Sequence, residues 1–249
     1  MTLPLVPAEP IGMIFPDGFL GVLMLDTQFP RPEGDIGHPS AFNVPTRRCV
    51  ISGAWPEKIV QSGAGLRKGR VVTPMLQLVR RLEHDGARAI TTSCGFLVLL
   101  QKEMQAAVKV PVITSSLLQL PGLLTLHGKV GVLTISAGKL GAEHLRAAGV
   151  PTRRLPDVVV QGVDAQGEFA RAILGNRVDM DLDKAGADVV AAAVALKQRE
   201  PLLVCVVLEC TNMPPYRTAI EAATGLKTFA LTDDERLTRP WRQVPEEAC

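Results

Sequence analysis

Short, almost continuously apolar segments recur along this chain, and two of them are near copies: GVLMLD at 21 to 26 and GVLTIS at 131 to 136. Similar runs occupy 87–93 (ARAITTS), 110–115 (VPVITS), 129–136 (KVGVLTIS), 156–162 (PDVVVQG) and 201–209 (PLLVCVVLE). They lack the alternation of a strand with one wet face, so they suit a parallel sheet covered on both sides. Helical patterns lie between them, over 74–84, 95–108, 138–148, 168–176 and 185–199. Strand and helix alternate, and the fold class is α/β. Each near copy is followed, about 70 residues later, by a cysteine at the end of an apolar run: Cys94 in TTSCGFL and Cys210 in LECTNMPPY. Self-similarity of this kind marks a duplicated unit. Two lobes of related topology are expected, residues 1–115 plus 222–249 carrying Cys94 and residues 116–221 carrying Cys210.

Composition narrows the partners. Of 249 residues, 47% are hydrophobic, ample for a buried core, and the net charge is only +2. No basic run exceeds the pairs Arg47-Arg48, Arg80-Arg81 and Arg153-Arg154, and aromatic residues make up 4%. With no charged footprint and few stacking platforms, no nucleic-acid partner is expected. The opening MTLPLVPAEP lacks the basic start and apolar stretch of a secretory signal, and the longest apolar run, 201–208, is far shorter than a membrane span of about 20 residues. A soluble, cytoplasmic protein without a membrane partner is expected. The five cysteines show no CxxC and no zinc-type spacing with histidine, so no metal site is expected.

The two strand-end cysteines carry the chemistry. In TTSCGFL a strand ends at Ser93 and a helical pattern begins near Gly95, so the backbone N–H groups of Gly95 and Phe96 are expected to face a substrate oxygen beside the Cys94 sulfur and to favour its thiolate. Thr92 and Ser93 add hydroxyls on opposite faces of the strand end. In LLVCVVLECTNMPPY, alternation groups Cys210 with Leu208 and Val206, assigns Cys205 to the core and turns Glu209 away from the site. Thr211 and Asn212 then offer a hydroxyl and an amide ahead of Pro214 and Pro215. One thiolate and one thiol near neutral pH can remove a proton from carbon on one face and return one on the other, without a cofactor. Asp26 and Ser136, ending the two near-copy strands, are further candidates for substrate contact. The proline-rich stretch 26–48 follows the first strand, where α/β proteins place ligand loops, and reads as an active-site loop or lid. His38, Arg47 and Arg48 flank it and could meet the distal charge of an acidic substrate. His84, His127 and His144 read as surface residues.

These residues together resemble the aspartate/glutamate racemase superfamily, which also holds hydantoin racemases, maleate isomerases, arylmalonate decarboxylases and algal-type dimethylsulfoniopropionate lyases. The resemblance rests on an early strand ending in Asp26, a first cysteine at Cys94, the PVITS segment, and Cys210-Thr211 followed by Pro214. It implies two pseudo-symmetric, doubly wound parallel-sheet lobes with the active site in the cleft between them. It also implies a small carboxylate substrate, no pyridoxal phosphate or metal, and a homo-oligomer, dimer or higher. The expected activity is a cofactor-independent racemase or epimerase acting on an amino acid or close derivative, with a lyase on the same scaffold as the alternative and a non-catalytic binder of small acids as a more distant one. Glutamate racemases usually show Cys-Asn-Thr and Cys-Thr-His at the two sites. Here Gly95 follows Cys94 and Asn212 follows Thr211, so the match to glutamate chemistry is incomplete.

Overall fold

The computed structural model describes residues 15–60, 63–68 and 71–241. The segment FLGVLML forms β1 (Phe19–Leu25), every residue of which is buried, as a strand covered on both faces demands. Three more strands complete a parallel sheet with it: β2 (Thr46–Ile51), β3 (Ala87–Thr92) and the two-residue β4 (Val112–Ile113), in the order β2-β1-β3-β4. A second parallel sheet contains β5 (Val130–Thr134), β6 (Val158–Gly162), β7 (Cys205–Leu208) and β8 (Lys227–Phe229), in the order β6-β5-β7-β8. The two orders are the same when each half is counted from its own first strand. The duplication read from GVLMLD and GVLTIS is therefore a repeat of topology.

Side chains of β1 alternate between two apolar layers. Phe19, Leu23 and Leu25 join the main core with Met75, Val79 and Leu82 of the helix Val72–His84. Leu20, Val22 and Met24 point the other way, onto Ile113, Leu231 and Leu237. Burying a leucine in such a layer contributes about 1.5–3 kcal/mol, so the segment after β8 is held firmly on the first sheet. This return is later than expected. Lys227–Phe229 pairs with β7 in the second sheet, so the crossing back lies beyond residue 229 rather than at 222.

Two further elements depart from the sequence reading. The stretch 26–48 was read as a loop, and its last three residues open the strand Thr46–Ile51, whose residues are mostly half-exposed, as fits the edge of a sheet. His144 was expected at the surface, but it is fully buried in the helix Ala142–Ala147, with its ring edge-on to Phe96 at 5.0 Å. No helix among the described residues is long and apolar enough to cross a membrane.

Candidate active site

In each sheet the first and third strands are neighbours, and the chain departs from them in opposite directions. The crevice beyond their carboxyl ends is where open α/β sheets bind ligands. The ends of β1 and β3 and the loop beyond β7 all contribute to one cleft of about 360 Å³, lined by Leu25, Ser93, Cys94, Gly95 and Phe96 from the first half and by Ile135, Glu209, Cys210, Thr211 and Asn212 from the second. Both strand-end cysteines thus face a shared space. The two halves are tied beside it: the Thr211 hydroxyl donates to the Ser93 carbonyl at 2.7 Å.

The segment after β1 closes one side of the cleft through Thr27, Phe29 and Arg31. Gly34 turns at φ +91° against Pro215, and the Ile36 N–H donates to the Thr211 carbonyl. Asn176 clamps the start of the segment from the second half, accepting from the Gln28 N–H and donating to the Asp26 carbonyl. A buried chain of contacts then leads to the second cysteine. Arg31 pairs with Asp35 at 2.7 Å, Asp35 accepts from the Asn212 amide at 2.6 Å, and the Cys210 thiol donates to the Asn212 oxygen at 3.5 Å. Arg31 also donates to Thr27 and lies over the Phe29 ring.

Seven of the ten residues singled out from sequence line this cleft: Cys94, Cys210, Ser93, Gly95, Phe96, Thr211 and Asn212. Three do not. The Asp26 carboxylate accepts from the Gly53 N–H at 2.8 Å, which fastens the turn after β2. The Thr92 hydroxyl donates to the carbonyls of Thr114 and Cys94. Ser136 sits where the chain turns, its carbonyl accepting from the N–H groups of Lys139 and Leu140. The basic residues proposed for a distal charge are also elsewhere: Arg47 pairs with Asp85, Arg48 donates to the His38 carbonyl, and His38 bonds Ser40. Arg31 is the cation that lines the cleft instead.

Glu209 overturns the alternation argument. Strand β7 ends at Leu208, so the period of two no longer governs the next residue, and Glu209 lines the cleft alongside Cys210. It is 1% exposed, and its Oε2 accepts from the Thr134 hydroxyl at 2.7 Å. Burial raises its carboxyl to about 7, the Thr134 hydrogen bond pulling the other way.

The expectation of a lowered thiol pKa is not met. Burial, then the charge of Glu209, pushes Cys94 up to about 12, against the backbone N–H groups of Phe96 and Leu97 and the charge of Arg31. The predicted helix there starts as a 3₁₀ segment, Gly95–Leu100, with Cys94 as its cap. Its short N-terminus is outweighed by desolvation. Cys210 is also raised, first by burial and then by Glu209, with Cys94 and Asp35 adding to the effect and the Asn212 N–H opposing it. Cys205 is 1% exposed within the core, in line with the reading from alternation.

Fold and cleft define a duplicated α/β protein with one cysteine from each half facing a shared pocket. The chain belongs to the Asp/Glu/Hydantoin racemase family, whose profile it matches over residues 49–233. Among curated proteins it is similar to a dimethylsulfoniopropionate lyase of Durusdinium sp. clade D, 30% identical over 84% of this chain and 70% of that protein. It is also similar to dimethylsulfoniopropionate lyase 3 of Emiliania huxleyi (strain CCMP1516), 29% identical over 84% of this chain but only 56% of that longer protein. Among solved structures, arylmalonate decarboxylase superposes with a TM-score of 0.53 at 16% identity, covering 92% of this chain and 94% of that one. Glutamate racemase from Francisella tularensis, solved with D-glutamate, gives 0.55 at 15% identity, covering 90% and 80%. Likeness at that identity establishes the shared two-lobed fold.

Proposed function

We propose that this protein is a cofactor-independent enzyme that removes and returns the proton on the carbon next to a small substrate's carboxylate, a racemase or epimerase with Cys94 and Cys210 as its acid/base pair. One observation carries the reading: the two cysteines occupy equivalent strand ends of a repeated topology and line the same cleft. A thiol with a raised pKa is seldom ionised, but its thiolate is a correspondingly stronger base, as a weakly acidic carbon requires. Arg31, the cation on the cleft wall, suits the substrate's carboxylate. The apolar walls of Leu25, Phe29, Phe96, Ile135 and Ile173 limit water around the carbanion.

Elimination on the same scaffold is the second reading, favoured by the identity to dimethylsulfoniopropionate lyases. There, loss of the α-proton is followed by departure of a sulfide from the neighbouring carbon, leaving an unsaturated acid. Only one cysteine must then act as base.

The test is solvent-deuterium uptake by mass spectrometry over a panel of amino acids, hydantoins, malonates and sulfonium propionates. Racemisation places deuterium in both enantiomers, and Cys94→Ser and Cys210→Ser each reduce inversion by about 1,000-fold or more. Unimpaired inversion in either variant sinks the two-base assignment. An unsaturated product, with one of the two variants still active, selects elimination.

A further inference from the structure

Glu209 differs from the other charged groups of the cleft. Arg31 and Asp35 neutralise each other, whereas Glu209 is bonded through one oxygen to Thr134, and its Oε1 is buried without a hydrogen-bond partner. Its position is coupled to the first cysteine. A Cβ on Gly95 would lie 2.3 Å from both the Glu209 carbonyl and Oε1, far inside van der Waals contact. A side chain at 95 and the carboxyl of 209 therefore exclude each other, and the glycine after Cys94 is the space that Glu209 fills. The same carboxylate abuts the residue following one cysteine and immediately precedes the other.

Building on the proton-transfer reading above, we propose that Glu209 is the proton-relay residue of the cysteine pair. In the resting site Glu209 is ionised and both sulfurs are thiols. The S–H bond of the base cysteine breaks as an O–H bond forms at Oε1, giving a thiolate and a neutral acid. That thiolate takes the α-proton, and the opposite thiol gives its proton to the other face of the carbanion. Glu209 then protonates the second sulfur and returns to its carboxylate. Protons and charge balance over the cycle, and running it in reverse exchanges the roles of the two cysteines.

The surrounding charges agree with a single negative charge shared among three groups. Cys94 beyond β3, Cys210 beyond β7 and Arg31 of the segment after β1, itself paired with Asp35, line the same cleft as Glu209, and Thr134 at the end of β5 donates to it. The charge of Glu209 is the second-largest influence raising each thiol, after burial. An ionised carboxylate and a thiolate thus disfavour each other, as expected of a coupled set. Glu209 accepts a proton only when ionised, so turnover falls as pH drops through about 7.

Glu209→Gln keeps the shape and removes the titration. Two measurements on the full chain test the relay: Cys94 alkylation by iodoacetamide against pH without substrate, and deuterium uptake against pH with it. The relay predicts Cys94 alkylation about tenfold or more faster at pH 8, turnover roughly 100-fold slower and no acidic limb near pH 7. Faster alkylation reports the lost charge of Glu209, and the loss of turnover together with the acidic limb is what a structural carboxylate would not produce. Thr134→Val retains the carboxyl and should move the acidic limb to higher pH, because the hydrogen bond that favours the ionised form is gone. Unchanged alkylation in Glu209→Gln, or parental turnover in that variant, overturns the relay alone. No turnover by the unsubstituted chain on any acid sinks the proton-transfer reading and the relay with it.

Discussion

The two cysteine corners occupy the same place in a repeated strand order, yet their surroundings differ in sign. Cys94 has the backbone N–H groups of Phe96 and Leu97 and the guanidinium of Arg31 working to lower its pKa. Cys210 has one such donor, Asn212, and feels Asp35 as an added negative charge. Duplication has copied the backbone position without copying the electrostatics. The asymmetry comes largely from the segment after β1, which belongs to the first half but brings Arg31 to the cleft wall and Asp35 to Asn212 beside the second cysteine.

The largest effect that would break this contrast comes from Asp35→Ala. The Arg31–Asp35 pair has side chains only 6% and 1% exposed, so the substitution strands a buried guanidinium and also deprives the Asn212 amide of its acceptor. Removing one partner of a buried pair costs about 3–5 kcal/mol, read as a shift in the urea midpoint. A loss below about 1 kcal/mol would mean that Arg31 readily finds other partners, and that the segment is not what separates the two corners.

A smaller effect sharpens the comparison. Cys94 has the greater exposure and the more favourable neighbours, so partial alkylation at pH 9 should label it about tenfold or more faster than Cys210, counted by peptide mass spectrometry. Equal labelling would erase the asymmetry and leave the two sulfurs as interchangeable as their topology.

The sequence made the duplicated α/β plan and the cysteine pair readable because both rest on patterns that survive without tertiary context: continuous apolar strands, and a polar turn directly after them. The edge strand TRRCVI was hidden because its two arginines and half-exposed faces give no buried-strand signal. Lys227–Phe229 is three residues long and owes its existence to pairing with β7. Glu209 was misassigned for a sharper reason. Alternation holds only while the strand lasts, and a carboxylate one residue past its end is oriented by the turn, which sequence periodicity does not describe. The best local clue to it was Gly95, whose missing side chain leaves room that only a distant residue could fill. His144 was lost because one histidine on a short helix carries no sign of whether its ring meets water or, as here, Phe96.

The smallest predicted effect concerns the ends of β1 and β5. Asp26 and Ser136 occupy matching places in the repeat and were natural candidates for substrate contact, but both hold backbone. Asp26 secures Gly53 through its carboxylate and the Ala54 carbonyl through its own N–H, while the Ser136 carbonyl collects Lys139 and Leu140. Asp26→Ala should therefore cost about 1 kcal/mol of stability, the worth of one partly exposed charged hydrogen bond, and leave KM within about twofold of the parent. Ser136→Ala removes no side-chain hydrogen bond to the described residues and should be nearer to neutral in both measurements. A roughly tenfold rise in KM for Asp26→Ala alone would place its carboxylate against substrate, so that the halves would differ in the ends of their first strands as well as in the neighbours of their cysteines.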